Sequence, residues 1–98
     1  MIPYTPRALR QIAKLDQHYR RLLRAEAIIN LNAALEEAER KISENPTGGL
    51  SAPRPYLQLA RRGTSWVQVG RYWVGYRTAP HLAIVAVFYD QANIPGRL

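Results

Sequence analysis

The hydrophobic period of this chain changes once, and that change is the strongest constraint on its fold. Up to about residue 43 the apolar side chains recur every three or four positions, as on one face of a helix. After Gly63 they alternate with period two, as on a half-buried strand. A helical first half followed by a strand-only second half predicts an α+β domain. Its helices must cover one face of an antiparallel sheet to bury their apolar seam. A length of 98 residues leaves room for one core, so residues 1–98 are expected to form a single domain.

Within the helical half, Ile2 to Thr5 reads as a short opening strand, and Thr5-Pro6 as an N-cap followed by proline at the first helical position. Ala8, Leu9, Ile12 and Leu15 then give a first helix to about Leu15 or Asp16. A second helix is expected from about Tyr19 to Ser43, with Ile28, Leu31, Leu35, Ala38 and Ile42 as its seam. Asn45-Pro46 and Gly48-Gly49 end it, and the two helices should form an antiparallel hairpin. Residues 46–63 hold three prolines and several arginines and read as a long surface connection, partly docked by Leu57 and Leu59.

Three strands follow. Thr64 to Val69 places Val67 and Val69 on one face and Trp66 and Gln68 on the other. Gly70-Arg71 is a two-residue turn. Tyr72 to Thr78 sets Tyr72, Val74 and Tyr76 against Trp73, Gly75 and Arg77. After a turn at Ala79-Pro80-His81, Leu82 to Tyr89 is apolar on both faces, which suits a central strand. The sheet face away from the helices is expected to be open, carrying Trp and Arg.

Charge narrows the partners. Fourteen Lys+Arg against seven Asp+Glu give a net charge of +7, and of the fourteen only Lys14 and Lys41 are lysine. Arginine's planar fork suits phosphate and carboxylate, so an RNA, DNA or acidic protein partner is expected. The chain has no cysteine, which excludes a disulfide scaffold and a thiolate zinc site. His18 and His81 are far apart in sequence, so no metal site and no cofactor are expected. The opening MIPYTPRALR lacks an apolar signal core, and Leu82 to Tyr89 is too short to span a bilayer. A soluble, cytoplasmic protein is expected.

Three segments carry a family resemblance. YTPRALRQIAKL, GRYWVGYRT and IVAVFYDQANIPGRL resemble the first strand and helix, the arginine-containing strand and the closing strand with its Ile-Pro tail in the ParE/RelE superfamily of toxins. The resemblance implies the toxin of a type II toxin–antitoxin system, of the plasmid-stabilisation kind, bound by an acidic antitoxin in a hetero-oligomer. ParE-like members are inhibitors of DNA gyrase; RelE-like members cleave mRNA on the ribosome. The Ile94-Pro95 tail and the lack of a basic residue on the closing strand favour the ParE-like, non-enzymatic alternative.

The RelE-like alternative requires a proton acceptor, a proton donor and cations for the phosphorane. Arg71, Arg77 and Tyr89 are the candidates, with His81, Arg61 and Arg62 nearby in sequence. Each also has a structural reading: Arg77 paired with Asp90, Arg71 and His81 as exposed turn residues, Tyr89 as a core aromatic. Arg61, Arg62, Trp66, Trp73, Arg20 and Arg24 are the candidate contacts for the target or the antitoxin. For them the alternatives are packed tryptophans and a solvated arginine face on the long helix. A nucleic-acid-binding module without toxicity ranks below both, because the meander lacks paired RNP motifs.

Overall fold

A computed structural model describes residues 2–51 and 62–89. Among the described residues two helices, α1 (Pro6–Arg21) and α2 (Ala25–Glu44), precede three strands, β1 (Ser65–Val69), β2 (Tyr72–Arg77) and β3 (Ala83–Tyr89). The strands form an antiparallel sheet in the order β1-β2-β3. Both helices pack on one face of it: Leu31, Leu35, Ala38 and Ile42 of α2 share a core with Ala8 and Tyr19 of α1 and with Val69, Tyr72, Val74, Tyr76, Ile84 and Val87 of the sheet. The fold is therefore α+β, as the periodicity requires.

Local chemistry explains where the elements begin. The Thr5 hydroxyl accepts from the Ala8 N–H at 3.2 Å, and Pro6 follows at the first position. The expected opening strand shrinks to a single parallel bridge between Tyr4 and Ile84. Ile84 N–H donates to the Pro3 carbonyl and Thr5 N–H to the Ile84 carbonyl, both at 2.9 Å. Glu39 of α2 holds the same segment from the other side, accepting from Ile2 N–H and from the Tyr4 hydroxyl. Burial, with the Glu39 charge beside it, pushes the Tyr4 phenol well above its ordinary range.

The helix boundary differs from the expected one. The first helix continues to Arg21 and the second starts at Ala25, not Tyr19. Residues 16–21 contain no breaker, and Tyr19 rewards the extra turn. Its side chain is buried, and its hydroxyl lies 2.5 Å from that of Tyr72 on β2. Burial and this hydrogen bond push the Tyr72 phenol upward. The α1 seam is thus Ala8, Ile12, Leu15 and Tyr19, whereas Leu9, one position off it, is 54% exposed.

What ends α1 is backbone closure. Arg24 N–H donates to the Tyr19 carbonyl and Leu23 N–H to the Arg20 carbonyl, with Leu23 at φ +55°. That is a Schellman cap, whose left-handed position normally belongs to glycine. A leucine there bears the steric cost of its Cβ, and at 91% exposure it recovers nothing by packing. Leu23→Gly is expected to stabilise the fold by about 1 kcal/mol, read as a rise in the urea midpoint with unchanged slope. A fall would mean the leucine makes a contact that outweighs the strain.

In the sheet the expected faces hold. Gly70 takes φ +57° at the first position of the β1–β2 turn, where a side chain would be strained. A register shift at Gly75/Tyr76 sets Ile84 against Tyr76 and Ala86 against Gly75. Two expectations fail. β3 is last in the strand order, not central; it is apolar on both faces because each face meets its own cluster. Its outer edge takes the Pro3–Thr5 backbone and the Gln11 side chain, which accepts from Val87 N–H at 2.9 Å. Nor is the second sheet face an open aromatic surface: Trp66 and Trp73 are each only 3% exposed and cluster with Ala86, Val85 and Phe88. On the β1 edge, Leu50 from the expected connection exchanges two backbone hydrogen bonds with Trp66. Leu57 and Leu59 lie outside the described residues.

Candidate functional site

Strand register brings three separate segments to one end of the sheet. Ser65 pairs with Tyr76, so residues 62–64 run on beside Arg77. Arg77 pairs with Ala83, next to Ile84, and Ile84 carries the backbone of Thr5 at the start of α1. Between them lies a cleft of about 420 Å³. Arg7, Arg62 and Arg77 line it with the hydroxyl residues Thr5 and Thr64, and Trp66 and Phe88 form part of its wall. No carboxylate is among its described lining residues.

The electrostatics all have one sign. A helix N-terminus favours negative charge, yet the first turn of α1 contains no acidic residue and instead contains Arg7. Two polar atoms of the cleft's lining residues, Trp66 Nε1 and Arg77 Nε, are buried without a hydrogen-bond partner among the described residues. Leaving a buried donor unpaired costs about 1–3 kcal/mol, and such groups in a native fold call for an explanation. Trp66 is held in place by packing: it stacks on Phe88 at a centroid separation of 5.9 Å and lies across Gly75 of β2. The cleft can therefore receive an anion. Its described polar side chains are those of arginine, threonine and tryptophan.

The sequence-derived set of Arg71, Arg77 and Tyr89 does not converge. Arg71 is exposed in the turn between β1 and β2, at the opposite end of β2 from Arg77. The five residue steps from Tyr72 to Arg77 span roughly 16 Å. Tyr89 pairs with Tyr72 and packs edge-on against its ring at 5.4 Å, on the helix-covered face. Alternation puts Arg77 on the other face. His81 is exposed in the β2–β3 turn.

Of the expected contact residues, Arg62 is in the cleft and Trp66 in its wall, while Trp73 is buried in the same aromatic cluster. Arg20 is exposed and paired with Asp16 at 2.7 Å, and Arg24 is exposed at the helix junction. Arg61, and Asp90 as the suggested partner of Arg77, lie outside the described residues. Arg7 was not singled out by sequence. Its signal is nonetheless legible: a cation in the first turn opposes the helix dipole and does nothing for helix stability.

Among the described residues no group of three or more His, Cys, Asp or Glu is placed to hold a metal ion, and no helix is long and apolar enough to cross a membrane. No protein-family model matches the chain, and no curated protein is significantly similar to it.

Proposed function

We propose that this protein is the toxin of a type II toxin–antitoxin pair, of the ParE-like kind, which arrests growth by binding DNA gyrase. The observation that carries the choice is the dispersal of Arg71, Arg77 and Tyr89 over two ends and two faces of the sheet. General acid–base cleavage of RNA needs its groups within hydrogen-bond reach of one phosphate, and these three cannot share one. A binding inhibitor has no such requirement.

The element order supports the same reading. A bridging N-terminal segment, two helices on one sheet face and a three-stranded meander are what the resemblance to the ParE/RelE superfamily leads one to expect. The net charge of +7 suits an acidic antitoxin, whose segment would fold on the toxin in the cytoplasm and silence it. A second reading, the RelE-like ribosome-dependent mRNA endonuclease, draws on the Arg7, Arg62 and Arg77 cleft, since cations lining one cleft also suit stabilisation of a phosphorane.

Induced expression in a bacterial host separates them. Under the gyrase reading the culture mounts a DNA damage response while cellular messages keep their native 5′ ends. Codon-phased cleavage of messages before any damage response would overturn it in favour of the endonuclease.

A further inference from the structure

The cleft at the start of α1 has a chemistry of its own, which goes beyond the choice of gyrase or ribosome. We propose that it is a phosphate-binding site, with Arg7, Arg62 and Arg77 as its cations and the Trp66 indole N–H as a neutral donor. The three cations come from separate chain segments, the first turn of α1, the residues before β1 and the end of β2, and Trp66 lies on β1.

The two orphan donors are the independent sign of a ligand. Trp66 is 97% buried by its 3% exposure, yet its Nε1 has no partner. The benzo edge of the ring lies over Gly75, so the N–H is on the edge away from that contact. Arg77 Nε is likewise shielded from solvent and unpaired. Neither atom is open to the cleft as it stands, and an oxyanion there would partner them once the Trp66 and Arg77 side chains turn toward it.

The number of donors selects phosphate over carboxylate. A carboxylate offers two oxygens in one plane, and one guanidinium fork takes about two of its four acceptor sites. Three guanidiniums, an indole N–H and the positive end of a 16-residue helix match an anion with oxygens in three dimensions and up to two charges. The Trp66 and Phe88 wall leaves room beside it for the apolar part of a phosphate ester.

The test is an NMR titration of the full chain with inorganic phosphate at constant ionic strength, chloride serving as the balancing salt. The Trp66 indole N–H, assigned through Trp66→Phe, and the Arg77 Nε–H are expected to shift saturably, while the Trp73 indole N–H stays still. Arg77→Gln and Arg7→Gln should each raise Kd about tenfold or more, since each removes a charge-assisted hydrogen bond. Arg7 is exposed on the helix surface, so Arg7→Gln carries the test should Arg77→Gln fail to fold.

A mononucleotide and a single-stranded oligodeoxynucleotide identify the source. Equal affinity for both assigns the site to a free phosphate ester, and tighter binding of the strand assigns it to a nucleic-acid backbone. Shifts that chloride reproduces, or that a glutamate-rich peptide produces and phosphate does not, would overturn the proposal. A damage response from a chain that binds no phosphate would remove this site and leave the gyrase reading standing.

Discussion

Ile84→Ala is expected to lower the stability of the fold by about 2–5 kcal/mol. Ile84 is fully buried and sits opposite Tyr76, itself 1% exposed, where the sheet register shifts. Its neighbours in the core include Leu31, Val74 and Val87, all within 1% of complete burial. Surroundings so closely packed relax little into a vacated volume, so the cavity adds to the lost transfer energy. The backbone of Ile84 also carries both hydrogen bonds to the N-terminal segment. A loosened side chain there would weaken the placement of Thr5 and with it the start of α1. In a domain of this size about 3 kcal/mol corresponds to a fall in Tm of roughly 12–24 °C. Leu9→Ala is the control: on an exposed helix surface the change should stay within about 0.5 kcal/mol. Thermal and urea unfolding of the two variants gives the comparison, and equal effects would contradict the placement of the helix layer.

Gly75→Val should be the second most damaging change, through the opposite mechanism. A Cβ at Gly75 would meet three carbons of the Trp66 ring at 3.0–3.2 Å. A flexible side chain would swing away, but this indole is stacked on Phe88 and almost wholly buried. Valine adds two further methyl groups to a site already too tight for one carbon. Overpacking of this kind costs about 1–3 kcal/mol, and β2 is the strand with neighbours on both sides, so the strain reaches the whole sheet. The variant should therefore lose stability and change Trp66 fluorescence together. Unchanged fluorescence in a destabilised variant would show that the indole is not what fills the space above Gly75. Because Trp66 also forms the cleft wall, the same substitution should weaken phosphate binding even when the folded fraction is restored by lower temperature.

Much of this was legible in the residues themselves. The Thr5-Pro6 cap, the α2 seam from Leu31 to Ile42, the alternating faces of β1 and β2 and the Gly70-Arg71 turn all follow from local rules. Each depends on a few consecutive residues and a fixed backbone period. The end of α1 did not, because residues 16–24 hold neither proline nor glycine. That break comes from a left-handed leucine and two backbone hydrogen bonds.

Of the candidate site, Arg62, Arg77 and Trp66 were legible as residues, whereas their meeting place with Arg7 was not. Arg7 and Arg77 are seventy positions apart in sequence, and the Tyr4–Ile84 bridge, with the packing of α1 on β3, brings their segments to one end of the sheet. The grouping of Arg77 with Tyr89 failed for a related reason. Nearness in sequence says nothing of which end of a hairpin, or which face of a strand, a residue occupies until register is set. By itself the sequence determined the α+β class, the helix seam, the alternating faces and the excess of arginine. Tertiary structure decided the helix junction, the edge position of β3, the burial of both tryptophans and the convergence of the arginine cleft. Periodicity and capping act over one or two turns, while burial and convergence depend on contacts between segments distant along the chain.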